Sequence, residues 1–259
     1  MDLGIAGKWA ILSGSSRGLG YACAESLARE GVNVVINGRD QQECEHVASQ
    51  IAATYGVTAI AVGADVTTSA GRAALVHACS SPDLLVTNCG GPSPTEFVST
   101  TAEEFEAAFA QNFHSAVGLI QLVLPGMRER KFGRIVNITS AMVKSPHPFM
   151  TLSIAARTAL TGVAKAVSKD VAVDNVTINN LLPERIDTGR QRQMAELQVQ
   201  FRGITLEEAY AEMAATIAAK RLGRPEEVGD ACAFLCAAQS GFISGQNLHL
   251  DGGSYEGLL

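Results

Sequence analysis

The sequence predicts an α/β protein, doubly wound, with a seven-stranded parallel sheet and helices on both faces. Three observations carry that expectation. Short runs rich in Val, Ile and Leu alternate with helical stretches along all 259 residues. These runs are nearly continuous in apolar character instead of alternating, as strands covered on both faces are. The helical stretches between them supply the right-handed crossovers that parallel neighbours require.

The strands are expected over residues 8–13, 32–37, 58–62, 83–88, 134–139, 177–182 and 247–250. Glycine and polar residues follow most of them, and helical patterns occupy the gaps. The helix expected over 102–130 is long, and Pro125 must kink or end it. After the sixth strand the rhythm breaks: residues 190–220 are Gln-, Glu- and Met-containing and helical in pattern. An α/β sheet places its ligand crevice there, so a helical substrate lid over about 188–222 is expected within one domain spanning 1–259.

Composition narrows the function classes. With 47% hydrophobic and 18% charged residues the chain has material for a buried core. A net charge of -6, with Lys and Arg scattered, excludes a nucleic-acid backbone as partner. No apolar run approaches the roughly 18 residues of a membrane span, and the N-terminal stretch lacks a signal pattern, so a cytoplasmic location without membrane contact is expected. Cys23, Cys44, Cys79, Cys89, Cys232 and Cys236 stand singly, which predicts neither a metal site nor a disulfide framework. Cys232 and Cys236 share a helix face as packing residues.

After the first strand comes Ser13-Gly14-Ser15-Ser16-Arg17-Gly18-Leu19-Gly20, leading directly into a helical pattern. Glycines permit positive φ and close approach of backbone to a phosphate, while the following helix offers free N–H groups and the positive end of its dipole. Such a turn is a phosphate cradle, here for the pyrophosphate of a nicotinamide dinucleotide.

The pattern resembles the classical short-chain dehydrogenase/reductase family. The likeness continues through Asp65-Val66, Asn88-Cys89-Gly90-Gly91, Asn112, Gly133 to Ser140, and Pro183 to Thr188. It ends with Arg221 to Val228, Ser244-Gly245-Gln246 and Asp251-Gly252-Gly253. The resemblance implies a Rossmann-type fold, a small-molecule substrate, and a homotetramer or homodimer. It further implies that Gly14, Ser16, Arg17, Gly18, Leu19 and Gly20 hold the pyrophosphate, and that Asp65 and Val66 contact adenine. Asn88 and Gly90 would line the adenosine, and Pro183, Ile186 and Thr188 would hold the nicotinamide end. Two positions depart from the family: Cys89 replaces Ala, and Glu184 replaces Gly, placing a carboxylate near the nicotinamide.

At the end of the second strand, where an acid would bond the ribose 2′-hydroxyl of NAD, the chain reads Ile36-Asn37-Gly38-Arg39. Asp40 with Glu43 makes a helix-capping pair. Arg39 and Arg17 remain, and two guanidinium groups suit a 2′-phosphate, so NADP is expected over NAD.

In the resembled family a Ser is followed thirteen residues later by a Tyr and four further on by a Lys. Counted from Ser140, those positions hold Ser153 and Arg157. An alkyl hydroxyl is a far weaker acid than a phenol, and a guanidinium stays protonated, so neither inherits the role. The resemblance implies that Arg157 keeps a positive charge able to bond the nicotinamide ribose, that Ser140 would polarise the carbonyl, and that Asn112 would hold a water. Lys144 and His147, in the loop between Ser140 and Ser153, are candidate proton donors, whereas His114 is expected to be a packed helix residue. The leading reading is an NADP(H)-dependent oxidoreductase for a small carbonyl or alcohol with a non-standard proton donor. A non-redox lyase or isomerase, or a binding protein without catalysis, remain as alternatives.

Overall fold

The computed structural model describes residues 2–258; Met1 and Leu259, the ends of the expected 1–259 domain, lie outside the described residues. Seven strands form one sheet: β1 (Trp9–Leu12), β2 (Asn33–Gly38), β3 (Ala59–Gly63), β4 (Leu84–Thr87), β5 (Gly133–Ile138), β6 (Val176–Pro183) and β7 (Asn247–Leu250). Each begins and ends within one residue of its expected bounds. The spatial order is β3-β2-β1-β4-β5-β6-β7, and every pairing is parallel. The order reverses between β1 and β4, so their C-terminal ends flank the crevice in which doubly wound folds bind ligands.

Two apolar layers cover the sheet. On one face, α1 (Gly18–Arg29), α2 (Gln41–Tyr55) and α9 (Pro225–Cys236) pack Leu27, Ile51 and Val228 against Leu12, Ile36 and Val136. On the other, α3 (Ser69–His77), α5 (Ser115–Glu129) and α6 (Thr151–Val171) pack Leu75, Leu119 and Ala164 against Ile11, Leu85 and Ile178. Alternate residues of one strand thus enter opposite cores, which is why the strands read as continuous apolar runs. Cys232 and Cys236 are fully buried beside Cys23 in the first core, and all six cysteines are free thiols.

A buried polar ladder fixes the strands across the middle of the sheet. Thr87 Oγ1 donates to Asn137 Oδ1 (2.7 Å), Asn137 Nδ2 to Asn180 Oδ1 (2.9 Å), and Asn180 Nδ2 to Asn247 Oδ1 (2.8 Å). Every rung satisfies an otherwise costly buried amide, so the ladder rewards one register.

The long helical segment differs from expectation. Residues Ala102–Glu129 form α4 (Ala102–Phe109), a π turn over Ala110–His114, and α5, with Pro125 inside α5 and the helix continuing past it. The interruption therefore falls at Asn112 and not at the proline. The segment is also more apolar than anticipated, with a mean hydropathy of 1.2 over an 18-residue window, long enough by length and composition to cross a membrane. Its α5 part spends that character on the sheet, burying Leu119, Ile120, Val123 and Met127.

After β6, α7 (Gly189–Arg202) and α8 (Leu206–Ala215) form a small helical pair with its own core of Ala195, Ala209 and Met213. Its return to the body is pinned at Glu227, which accepts from Arg221 Nη1 and Nη2 (2.8 and 2.7 Å) and from Arg224 N (2.7 Å). These bonds lower the Glu227 pKa from its usual 4.5 to about 2. A carboxylate depressed in the folded state stabilises above its unfolded pKa and loses that contribution as pH falls toward the folded one. Glu227→Gln is expected to lower Tm by about 2–4 °C near neutrality, equivalent to about 1 kcal/mol for a partly solvated pair. The difference from wild type should vanish as thermal melts move from pH 5 to pH 2.

Candidate active site

The glycine turn is built by the ends of three other strands. Gly14 N donates to Asn37 Oδ1 (3.1 Å), and Asn88 Nδ2 donates to Gly14 O (2.9 Å). Ser13 Oγ donates to Asn88 O (2.9 Å) and accepts from Asn88 N (3.0 Å). Asn37 also donates to the carbonyls of Val62 and Ala64, both at 3.0 Å. It thus ties β2 and β3 to the turn. The one sequence signal of this role is that Asn37 is an amide in an otherwise apolar buried strand.

Backbone geometry explains the glycines. Gly14 has φ +56°, and a Cβ there would lie 2.8 Å from Asn88 O. Gly20 packs its α-carbon so closely that a Cβ would lie 2.2 Å from Gly14 O. Helix α1 then starts with Arg17 as an N-cap that makes no side-chain cap bond, and with no acidic residue in its first turn. The N–H groups of Gly18, Leu19 and Gly20 consequently face outward at the positive end of the helix.

Around this turn the expected cofactor residues divide. The side chains of Arg17 and Arg39 are exposed and make no hydrogen bond or ion pair among the described residues, although the Arg39 charge acts on Asp65. Asp65 accepts from Thr67 N (2.9 Å) and Thr67 Oγ1 (2.8 Å), bonds that hold its carboxyl below the usual range, and Val66 is buried beneath it. The Ser16 hydroxyl donates to Glu43 Oε2 (3.0 Å). This corrects the expected Asp40–Glu43 capping pair. Asp40 Oδ1 caps α2 by accepting from Gln42 N and Glu43 N, but the Glu43 carboxylate turns to Ser16 instead of back to the cap.

At the ends of β5 and β6, Ser140 Oγ accepts from Met142 N (3.2 Å), which leaves its proton free to donate. Asn112, in the π turn, donates to Gly90 O (2.8 Å) while its Oδ1 is buried without a partner. Asn112 lines a cavity of about 10 Å³ with Asn88, Cys89, Ser115 and Arg157, about the least that holds one water. Burial pushes the Cys89 thiol up, partly offset by the Arg157 charge.

Ser153 and Arg157 lie one turn apart on α6 and bond to each other. Arg157 Nε donates to Ser153 Oγ (3.1 Å), and Nη1 donates to the carbonyls of Ile138 (3.0 Å) and Thr139 (2.8 Å). The guanidinium therefore clamps the end of β5, where Ser140 begins. Burial lowers its pKa to about 10, still protonated at neutral pH.

Beyond β6, Glu184 N donates to Leu250 O (3.0 Å), and burial raises the Glu184 carboxyl pKa. Ile186 is buried in a bridge to Gly223, and Thr188 caps α7 without a side-chain bond. Lys144 Nζ lies 5.2 Å from the centre of the Tyr255 ring, which stacks on His249 at 4.5 Å. The chain thus brings a tyrosine to Lys144 from its far end, a proximity no local spacing could reveal. His147 is exposed beside Phe149, and His114 packs against Phe113 in the π turn.

A parallel sheet with a glycine turn and an uncapped helix N-terminus at its reversal point defines the dinucleotide-binding class of α/β proteins. Residues 14–255 match the family model described as enoyl-(acyl carrier protein) reductase. The chain belongs to that family, within the short-chain dehydrogenases/reductases. It is similar to the NADPH-dependent reductase BacG of Bacillus subtilis, with 30% identity over 97% of this chain and 99% of the relative. Among solved structures, L-sorbose reductase from Gluconobacter frateurii, complexed with NADPH and L-sorbose, superposes with a TM-score of 0.95. It is 28% identical, and all of both chains is covered. The reductase YwfH, NADPH-dependent and involved in bacilysin biosynthesis, gives 0.91 at 30% identity over 97% of this chain and 99% of the other.

Proposed function

We propose that this protein is an NADP(H)-dependent oxidoreductase that reduces a small carbonyl compound, or oxidises the corresponding alcohol, with a proton donor other than a tyrosine on α6. The observation that carries the reading is the pair Arg17 and Arg39, two guanidinium groups without hydrogen-bond or ion-pair partners among the described residues, beside a glycine turn and an uncapped helix N-terminus suited to a phosphate. The NADPH-linked relatives support the same cofactor.

The residues present fit the dinucleotide. The N–H groups of Gly18, Leu19 and Gly20 would hold the pyrophosphate, Arg17 and Arg39 the 2′-phosphate, and Asp65, Val66, Asn88 and Gly90 the adenosine. Pro183, Ile186 and Thr188 would take the nicotinamide end. When bound, the cofactor supplies or accepts a hydride.

The chain's own residues do the rest. Ser140 polarises the substrate oxygen by donating a hydrogen bond to it, with Met142 N fixing the hydroxyl. Ser153 and Arg157 stand where the family has Tyr and Lys; Ser153 accepts from Arg157 Nε, and its alkyl hydroxyl is a far weaker acid than a phenol, so the reading does not make it the acid. Asn112, which has an unpartnered Oδ1 and lines the small cavity, holds a water behind the site. Lys144, four residues past Ser140, is the proton donor in this reading. The helical pair within 188–222 acts as a lid on a single domain, because Arg190 Nη2 reaches across to Pro92 O (2.6 Å) on the opposite wall. A cytoplasmic homotetramer or homodimer completes the proposal, and light scattering of the purified protein would test its assembly.

Removing one phosphate-binding guanidinium tests the cofactor assignment. Arg39→Ala is expected to raise the KM for NADPH by about 10–100-fold, the value of one or two charge-assisted bonds. The KM for NADH should change less than about threefold. Equal KM values for the two cofactors in wild type would overturn the assignment.

A further inference from the structure

Six arginines of this chain, Arg29, Arg128, Arg192, Arg202, Arg221 and Arg224, pair with carboxylates. Arg134 shows the other way to bury a guanidinium. Its Nε, Nη1 and Nη2 are all engaged, by the carbonyls of Gly133, Asn175, Ala237 and Ala238 and by Asn175 Oδ1, and the Phe132 ring covers its face.

Arg157 and Arg190 follow neither pattern; the same holds of Arg17, Arg39, Arg72, Arg130 and Arg185 among the described residues, and what distinguishes the pair is that both border one segment, Gly91-Pro92. Arg157 places three N–H groups on Ser153, Ile138 and Thr139, but its Nη2 makes no hydrogen bond among the described residues. That nitrogen lies 3.6 Å from where a Cβ on Gly91 would stand. Arg190, in the first turn of α7, donates through Nη1 to Gln193 (3.0 Å) and through Nη2 to Pro92 O (2.6 Å). Two of its five N–H groups are thereby used. Both guanidinium groups thus flank the Gly91-Pro92 segment after β4, and neither has a carboxylate within ion-pairing distance among the described residues.

The arrangement is electrostatically incomplete. Burial disfavours the charged form of each, and the charge of Arg190 disfavours that of Arg157 further. No carboxylate acts on either: the charges acting on Arg157 are those of Cys89 and Arg190, and none acts on Arg190. A chain with a net charge of -6 keeps two cations unneutralised in one cleft. The cofactor phosphates already have Arg17, Arg39 and the start of α1. A planar guanidinium with free N–H groups matches a carboxylate in two-point contact.

We propose that Arg190, backed by Arg157, receives the carboxylate of the substrate, so that the compound reduced here is an oxo acid. The proposal rests on the reductase reading and specifies its substrate class. The reaction balances as oxo acid plus NADPH plus one proton giving hydroxy acid plus NADP⁺. The carboxylate is unchanged throughout, so the guanidinium contact serves both directions.

Two assays separate this proposal from the reading beneath it. In the first, NADPH oxidation is followed with a series of 2-oxo and 3-oxo acids and their methyl esters. Wild type is expected to prefer acid over ester in kcat/KM by about 10–150-fold, the value of a charge-assisted contact. Arg190→Gln should bring that ratio below about 5, Arg190→Lys should retain part of it, and the KM for NADPH should shift less than about threefold. Esters turned over as well as acids would overturn the proposal, as would Arg190→Gln raising the NADPH KM with the acid preference intact. The second assay is calorimetric titration of the NADP⁺-loaded protein with oxamate, which requires no turnover. Binding abolished by Arg190→Gln supports the carboxylate site even if no carbonyl is reduced, in which case the reductase reading alone fails. No oxamate binding at millimolar concentration overturns the site.

Discussion

Gly20→Ala is expected to cost about 100-fold in activity and to lower Tm by about 4–10 °C. The added methyl would sit 2.2 Å from Gly14 O, a backbone atom that cannot rotate away. Gly14 in turn is held by Asn37 and Asn88, so the clash spreads into the ends of β2 and β4. Overpacking of this kind typically costs about 1–3 kcal/mol, and the cradle's N–H groups shift with it. A displacement near 1 Å of groups that position a reactant is enough for a loss of about 10²-fold. Thermal melts and NADPH titration of the purified variant measure both effects. Gly18→Ala is the matched comparison: its φ is +61° but a Cβ meets nothing within 4 Å, so strain is expected there without collision.

Arg157→Met should be more damaging still, with kcat/KM falling about 10³-fold and Tm by about 6–12 °C. The methionine fills the space but leaves the Ile138 and Thr139 carbonyls and the Ser153 hydroxyl without their donor. An abandoned buried polar group costs about 1–3 kcal/mol each. The activity loss follows because the clamp sits directly before Ser140. Ser153→Ala separates support from chemistry. It removes only the Nε acceptor, so more than about a tenth of wild-type kcat/KM should survive, in keeping with one lost bond. Loss equal to that of Arg157→Met would assign the Ser153 hydroxyl a direct part in proton transfer.

Local physics made most of the fold legible. The apolar runs located all seven strands because both faces of this sheet are covered, and the glycine turn was readable because its conformation excludes other residues. Pairs that depend on distant chain meeting were not legible. Asp40 and Glu43 have capping-box spacing, yet Ser16, 27 residues away in sequence, competes successfully for the Glu43 carboxylate. The π turn at Asn112 escaped notice because Pro125 is the louder signal, although α5 accommodates it. Arg190 opens the helical segment expected after the sixth strand, and only its contact with Pro92 brings it to the loop that Arg157 also borders. Tyr255 reaches Lys144 through the pairing of β6 with β7, which brings the end of the chain back over the site.

The central claim is that a chain with Ser153 and Arg157 on α6 still performs NADPH-linked carbonyl reduction. Stoichiometry tests it most directly. Purified protein, stripped of bound nucleotide, is supplied with NADPH and a panel of ketones, aldehydes and oxo acids, and both reduced-nicotinamide absorbance and alcohol product are quantified. One NADPH consumed for each alcohol formed, with no turnover when the dinucleotide is omitted, is the predicted result. Substrate conversion that proceeds unchanged without the dinucleotide, or a panel in which no compound draws down NADPH, would contradict it.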